Sequence, residues 1–479
     1  MKAAMRAGDQ TKQVLRPDLC VLGGGACGLA VATGAVALGF SVVLIEKGPM
    51  GGHGLSSEAP RQVLGAIAKR LGEAGRAQPF LRDAVGLPDA AAVFAHIKAT
   101  VASLARDASR ARFEALGVRV IAAAGRFTGH DQVTAGGFLV ESRRFVIATG
   151  SVPVVPSIPG IELVRSLTPD TVFELSEMPE RLVILGNDAA AVELAQGFAR
   201  LQCGVSLIAS GRLLGDMDGE LVAILGDELR LDGVDVREGV SIERIEPKGS
   251  GVQIFASGAL LAEGSHLLIS VGRKPQLEGL GLEAGGVVFD ASGIRVGSDL
   301  RNPGNRGVFA VGDCAFPTQA AAPADHLAGL LLRSVLRVPK RLDTQFFAPI
   351  VYADPEFASV GLGEEAARAR HGHIHVLRWP FAANDRARIE SKTAGHVKVI
   401  ASKTGTILGA GILGEGAGEL IMPWCLAISR GLDLATMAAL PVPRATRSAA
   451  GWRAAASFAL AGSRKPWLGR ILDLARRWG

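Results

Sequence analysis

The 479-residue chain has little cysteine and almost no tyrosine: five Cys, one Tyr, and 5% aromatic residues overall. Five cysteines at this length exclude a disulfide-stapled secreted scaffold. So few aromatics also do not suit a protein built on stacking platforms for single-stranded nucleic acid. The basic N-terminal stretch, with Lys2, Arg6, Lys12 and Arg16 against Asp9, lacks the apolar run of a signal peptide, so residues 1–17 are expected to be a flexible leader. Charge is missing altogether from Leu19 to Ile45, a length that on paper spans a bilayer. Six glycines inside that stretch, and the Glu46–Lys47 pair that closes it, argue instead for a buried strand–helix–strand unit. The chain is therefore expected to be soluble and cytoplasmic. What is abundant is glycine, at 61 residues, in a 48% hydrophobic composition that can bury a large core.

Hydrophobic patterning divides the chain. Asp18–Leu22 and Ser41–Ile45 read as buried parallel strands around an apolar helix from Leu29 to Leu38. Leu71–Asp89 reads as a loop and Ala90–Leu116 as one long helix. A strand over Arg144–Ala148 ends in Thr149–Gly150, and Pro153, Pro156 and Pro159 then mark a domain crossing. A second strand–turn–helix–strand unit spans Arg181 to Ala209, and from about Thr344 alternating strands and helices take over.

Gly23, Gly25 and Gly28 have the G-x-G-x-x-G spacing directly after a strand. The first glycine allows the tight turn, the second lets backbone approach a pyrophosphate, and the third lets helix pack on strand. The helix N-terminus adds amide donors and a positive dipole. Glu46 ends the next strand, where a carboxylate accepts ribose hydroxyls. Together these features mark a dinucleotide site.

With the first loop come Ala148–Ser151, Val271–Pro275, Ala310–Asp313, Tyr352–Glu356, Val360–Leu362, Trp379–Ala382 and Gly414–Ile421, in that order. In this set the chain resembles the flavoprotein pyridine nucleotide–disulfide oxidoreductases, the family of dihydrolipoamide dehydrogenase and mercuric reductase, over nearly its whole length. Pro423–Trp424 and Asn384–Asp385–Arg386 make it similar to mercuric-reductase-like members of unassigned substrate. The resemblance implies an α/β fold of two Rossmann-like nucleotide-binding domains plus a C-terminal α+β dimerisation domain. The expected boundaries are 18–152 with 272–343 for FAD, 153–271 for NAD(P), 344–450 for the interface and 451–479 for a basic tail. It further implies a homodimer, an FAD lined by Lys47, Gly52, Gly125, Thr149, Gly150 and Ser151, and an Asp313 that bonds the ribityl chain.

The family's relay is absent from the sequence. It needs two cysteines spaced C-x-x-x-x-C, but Gly54 stands at the first and Glu58 or Ala59 at the second, across a one-residue gap. Cys20, Cys27, Cys203, Cys314 and Cys425 form no substitute pair and read as small buried residues, with Cys314 notable for following Asp313. The partner's His–Glu acid–base pair falls at Val442 and Arg447, neither able to move a proton at neutral pH. The usual flavin-side Lys aligns with Gln62, while its partner acid is kept as Glu193. His53 and Glu58, which bracket Ser56 and Ser57, are candidates for acid–base work beside the flavin, as is Glu193; a loop that has lost its constraint is the competing reading.

The second nucleotide loop keeps Gly186 and has Ala191 at the third glycine, but Asp188 stands at the second. Its side chain and charge oppose a pyrophosphate, although Asn187 or Asp188 can serve as a helix N-cap. Ser210 and Arg212 would favour NADPH over NAD because a cation suits the extra phosphate, and Gly272 joins Gly186 and Ala191 as a further candidate of this nucleotide site. His371, His373 and His375 alternate in an expected strand, with no Cys or acid around them, and no metal site is expected.

Net charge is +6, but Arg444–Gly479 holds eight Lys and Arg against one acid, leaving 44 basic and 45 acidic residues in the body. Nucleic acid is thus not an expected partner. The tail carries Trp467, Leu468, Ile471, Leu472, Ala475 and Trp478 on one helical stripe, suited to peripheral contact with the inner face of a membrane or to packing on the dimer. The expected function is an FAD-dependent oxidoreductase that passes electrons from flavin directly to a small-molecule or protein acceptor, with NADPH the candidate donor. The alternative is a non-catalytic FAD-binding member acting through a partner or membrane.

Overall fold

The computed structural model describes residues 13–77, 88–316, 323–338 and 347–462. The chain divides into two compact units, each assembled from separated segments: residues 1–59, 98–153 and 273–342 in the first, and 60–97, 154–272 and 343–479 in the second.

The first unit is built on five parallel strands in the order Val308–Ala310, Phe145–Ile147, β1 (Leu19–Leu22), β2 (Val42–Glu46), Arg119–Ala122. Every residue of β1 is buried, as the uncharged run predicts for a strand covered on both faces. Helix α1 (Ala26–Ala37) crosses from β1 to β2. Beside this sheet lies a four-stranded one formed by Gln13–Leu15, Phe138–Glu141, Gln132–Ala135 and Arg126–Gly129. Gln13–Leu15, expected inside a flexible leader, pairs in parallel with Phe138–Val140. Gln13 and Val14 are exposed, so side-chain burial does not mark this strand; the backbone ladder supplies the order.

The second unit begins at Pro60, one residue into α2 (Ala59–Ala77), so the expected loop from Leu71 is helical to Ala77, and residues 78–87 lie outside the described residues. Its parallel sheet runs Ser166–Leu167, His266–Ser270, β3 (Arg181–Gly186), β4 (Gly204–Ile208), Asp235–Arg237, with α3 (Ala189–Arg200) between β3 and β4. Farther along, five antiparallel strands, Ile350–Val351, Glu356–Gly361, Ile407–Gly414, His396–Ser402 and Ile374–Pro380, form the C-terminal sheet.

Two further expectations change. The long helix is two, Ala90–Ala105 and Arg110–Ala115, because Ser109 caps the second by accepting from the Arg112 amide. The boundary drawn at 450 falls inside a helix, Ser448–Gly462, whose Ala450, Ala454 and Ala455 are fully buried in the C-terminal core. The amphipathic stripe from Trp467 lies outside the described residues. Among the described residues, no helix is long and apolar enough to cross a membrane.

Candidate flavin site

β1 ends on Gly23, whose φ of +109° and close approach allow no side chain: a Cβ would stand 2.3 Å from the Ala148 carbonyl oxygen. At Gly28 a Cβ would stand 1.9 Å from the Gly23 oxygen, so helix and turn touch by backbone alone. Gly25 is different, because nothing lies within 4 Å of where its Cβ would be. It is the N-cap of α1, with no capping side chain and no acid in the first turn. The helix therefore presents amides and dipole to an open space, the arrangement that holds a diphosphate.

The other predicted residues gather here. Glu46 ends β2, and its carboxylate accepts from the Gly24 amide at 2.5 Å and the Gly48 amide at 2.7 Å, which aims it at the loop. Lys47 beside it is exposed. Gly51 donates its amide to the Gly24 oxygen at 2.7 Å, and a Cβ on Gly52 would lie 3.0 Å from Gly25 Cα. Gly125 lies against Ile45 and Leu22, with 3.1 and 3.2 Å left for a Cβ. Thr149 Oγ1 donates to the Gln276 oxygen at 2.8 Å and Gly150 has φ +68°. Ser151 Oγ donates to Asp313 Oδ2 at 2.6 Å and accepts from Arg273 Nε at 2.8 Å. Asp313 is brought to α1 by Gly312, where a Cβ would meet Cys27 Sγ at 3.1 Å.

The residues present fit FAD. Gly25 leaves a cradle that any side chain would fill, and α1 is uncapped. A third observation is Ser57, fully buried, whose hydroxyl has no partner among the described residues. An orphaned buried hydroxyl costs about 1–3 kcal/mol unless a ligand takes it up. A cavity of about 240 Å³ also opens beside Glu46, Gly48 and Val120.

The segment where a dithiol would sit is a π-helical turn, Gly54–Glu58, leading into α2. His53 Nε2 lies 3.7 Å from Glu58 Oε1 across it, the imidazole mostly covered and the carboxylate half exposed. All five cysteines are free thiols. Burial pushes Cys203 up to about 12 and Cys314 up to about 11. Cys27 is pushed to about 12 by burial and then by the nearby Cys314, Asp313 and Glu58. Burial likewise raises Cys20 and Cys425, so none is a ready thiolate nucleophile.

Sequence reasoning missed Arg61. It, rather than Gln62, faces Glu193: Arg61 Nε lies 3.2 Å from Glu193 Oε2, and both side chains are nearly covered. The gapped register gave no signal for this one-residue shift. Glu193 Oε1 accepts the Tyr352 amide at 2.9 Å, which ties the carboxylate on both sides. Arg447 is ion-paired with Glu390 and held below its ordinary value by burial, and no acid–base pair forms between it and Val442.

In the second unit, Asp188 caps α3: its Oδ1 accepts the Ala191 amide at 2.8 Å and the Ser270 hydroxyl at 2.7 Å. A Cβ on Gly186 would stand 2.0 Å from the Ser270 oxygen, and Ala191 is fully buried, so strand, loop and helix are tightly joined. Ser210 is exposed at the end of β4. Arg212 spends one guanidinium nitrogen on the Gly215 and Met217 oxygens at 2.8 and 3.1 Å. Gly272 takes φ +105°. The histidines do not share a strand: His371 ends a helix, and only His375 lies in Ile374–Pro380, its ring against His373 and Phe458. Among the described residues no cluster can hold a metal ion.

An uncapped helix N-terminus after the Gly23–Gly28 turn, a carboxylate at the end of the next strand and a second nucleotide-type unit together fit the dinucleotide-binding class of α/β protein. Residues 17–329 match the family described as Pyridine nucleotide-disulphide oxidoreductase, and residues 347–453 match its dimerisation domain. The chain belongs to this family, which uses FAD and NAD(P)H. It is 31% identical to a mercuric reductase of Streptomyces lividans over 458 residues, 92% of this chain and 96% of that one. It is 30% identical to a dihydrolipoyl dehydrogenase of Thermus scotoductus over 449 residues, 90% of this chain and 95% of that one. The Cu(II) complex of the HOCl-induced flavoprotein disulfide reductase RclA from Escherichia coli shares the fold, with a TM-score of 0.83 over 92% of this chain and 99% of that one, at 23% identity.

Proposed function

We propose that the chain is an FAD-dependent oxidoreductase that reduces its acceptor without a dithiol relay. FAD, when bound, supplies two-electron redox chemistry. The chain's own residues bind and orient it: the Gly23–Gly28 turn and α1 take the diphosphate, Glu46 the ribose, and the Ser151–Asp313 pair the ribityl chain. The observation that carries the reading is the Gly54–Glu58 turn, which holds no thiol in a chain whose five cysteines are all free and lie elsewhere. His53 and Glu58 are the groups in that turn able to hold a proton for an acceptor at oxygen, which favours a quinone-like small molecule. NADPH is the candidate donor. The family's dimerisation domain favours a homodimer, and the exposed Met422 and Leu426, one turn apart on a helix, suit that interface.

The test is anaerobic: the FAD-loaded protein, reduced with dithionite, is mixed with a benzoquinone or with lipoamide. Rapid reoxidation by quinone and none by the disulfide is expected. Reoxidation by lipoamide at a comparable rate would sink the reading. A non-catalytic role is the second reading, favoured by Val442 and Arg447 standing where the acid–base pair belongs. Turnover with any acceptor excludes it.

A further inference from the structure

We infer that Asp188 is a built-in competitor for the diphosphate of a nicotinamide dinucleotide, occupying the donors that the second nucleotide loop would offer it. In a strand–turn–helix unit of this kind the second glycine lets backbone approach the pyrophosphate, and the helix N-terminus supplies the amides. The two loops of this chain show that position in opposite states. In the first it is Gly25, with nothing within 4 Å of a Cβ and no side chain on the helix end. In the second it is Asp188, whose Oδ1 takes the Ala191 amide at 2.8 Å and the Ser270 hydroxyl at 2.7 Å.

The carboxylate is thus an internal anion bound where the external one belongs. A dinucleotide has to displace it from both donors. After displacement the carboxylate still sits on the loop, a like charge beside the phosphates in a partly desolvated place. The same contacts also keep the helix capped, so the loop is stable with no ligand present. The 2′-phosphate end of the site is less engaged: Ser210 is exposed, and Arg212 is held by two carbonyl oxygens. Asp188 therefore sets the affinity for nicotinamide dinucleotides, and its charge accounts for most of the effect.

The experiment is an equilibrium titration by calorimetry on the FAD-loaded full chain, with NADP+ and NAD+ as probes. These oxidised forms bind without reducing the flavin, so the result does not depend on any acceptor reaction. Wild type is compared with Asp188→Asn, which removes charge at constant size, and Asp188→Ser, which removes charge and bulk. Both replacements cap helices well, and flavin content with the melting temperature verifies that they fold. Both variants are expected to bind NADP+ about tenfold or more tightly than wild type, the increment that a single relieved charge contact readily supplies. Equal affinity in all three proteins overturns the inference, as does tightest binding by wild type. Absence of binding in all three also overturns it, because something other than Asp188 then closes the loop.

Discussion

At the scale of single residues, the flavin loop separates two roles that the same amino acid plays. Gly23 is required by the fold, since its φ is +109° and a Cβ would meet the Ala148 oxygen at 2.3 Å. Gly25 is not required by the packing, since a Cβ there meets no protein atom, and the diphosphate proposed for this loop supplies the reason for a glycine. Gly23→Ala is expected to destabilise the protein by about 2 kcal/mol or more, from left-handed strain and the clash. Gly25→Ala is expected to leave the melting temperature of flavin-free protein unchanged while lowering flavin content. Absorbance near the flavin band per mole of purified protein, with a thermal melt, reads both. The spacing of these glycines and the place of Glu46 were legible because each is fixed by local backbone geometry. The Arg61–Glu193 and Asp188–Ser270 contacts were not, because they join residues distant in sequence and depend on one-residue differences in register.

At the scale of elements, β1, β2 and α1 were readable from a run with no charge, and β3, α3 and β4 from the same pattern repeated. The break between Ala90–Ala105 and Arg110–Ala115 was hidden by apolar spacing that continues across it; the Ser109 cap is the signal that marks it. The helix Ser448–Gly462 was read as appended tail because its inner face is alanine, which carries no strong hydrophobic signature. That face is nevertheless closely fitted: Ala450, Ala454 and Ala455 are fully buried, and a Cβ on Gly451 would come 3.0 Å from Trp424. Ala454→Leu should therefore overpack the C-terminal core and cost about 1–3 kcal/mol, measured by urea unfolding. A neutral outcome would mean that this helix docks loosely.

At the scale of the whole molecule, order of motifs along the chain made the family legible even though each motif alone is modest. Charge organisation was not legible, since the second unit gathers its ionised groups from far-apart segments. Lys398, almost wholly covered, lies within 2.8, 3.0 and 2.9 Å of Asp218, Glu220 and Glu364. Hydrogen bonding from Arg378, followed by the Lys398 ammonium, holds the Glu220 carboxyl near 2 against an ordinary 4.5. The folded form thus binds this proton less readily than the unfolded chain. Its stabilisation is complete above 4.5 and is lost as pH falls through 2. Melting temperatures taken from neutral pH downward should show Glu220→Gln losing less stability than wild type over that interval. Parallel acid limbs for the two proteins would contradict it.

The first unit is interrupted: its sheet includes Val308–Ala310, and the Asp313 that meets Ser151 follows directly. Residues 154–272, all of them in the second unit, are translated before either. A ribosome therefore delivers the Gly23–Gly28 loop, proposed for the diphosphate, well before Asp313, proposed for the ribityl chain, with a complete strand–helix–strand unit emerging between them. Flavin capture is thereby expected only after Asp313 has been made, and nascent chains halted before Val308 should emerge colourless however well their glycine loop has formed.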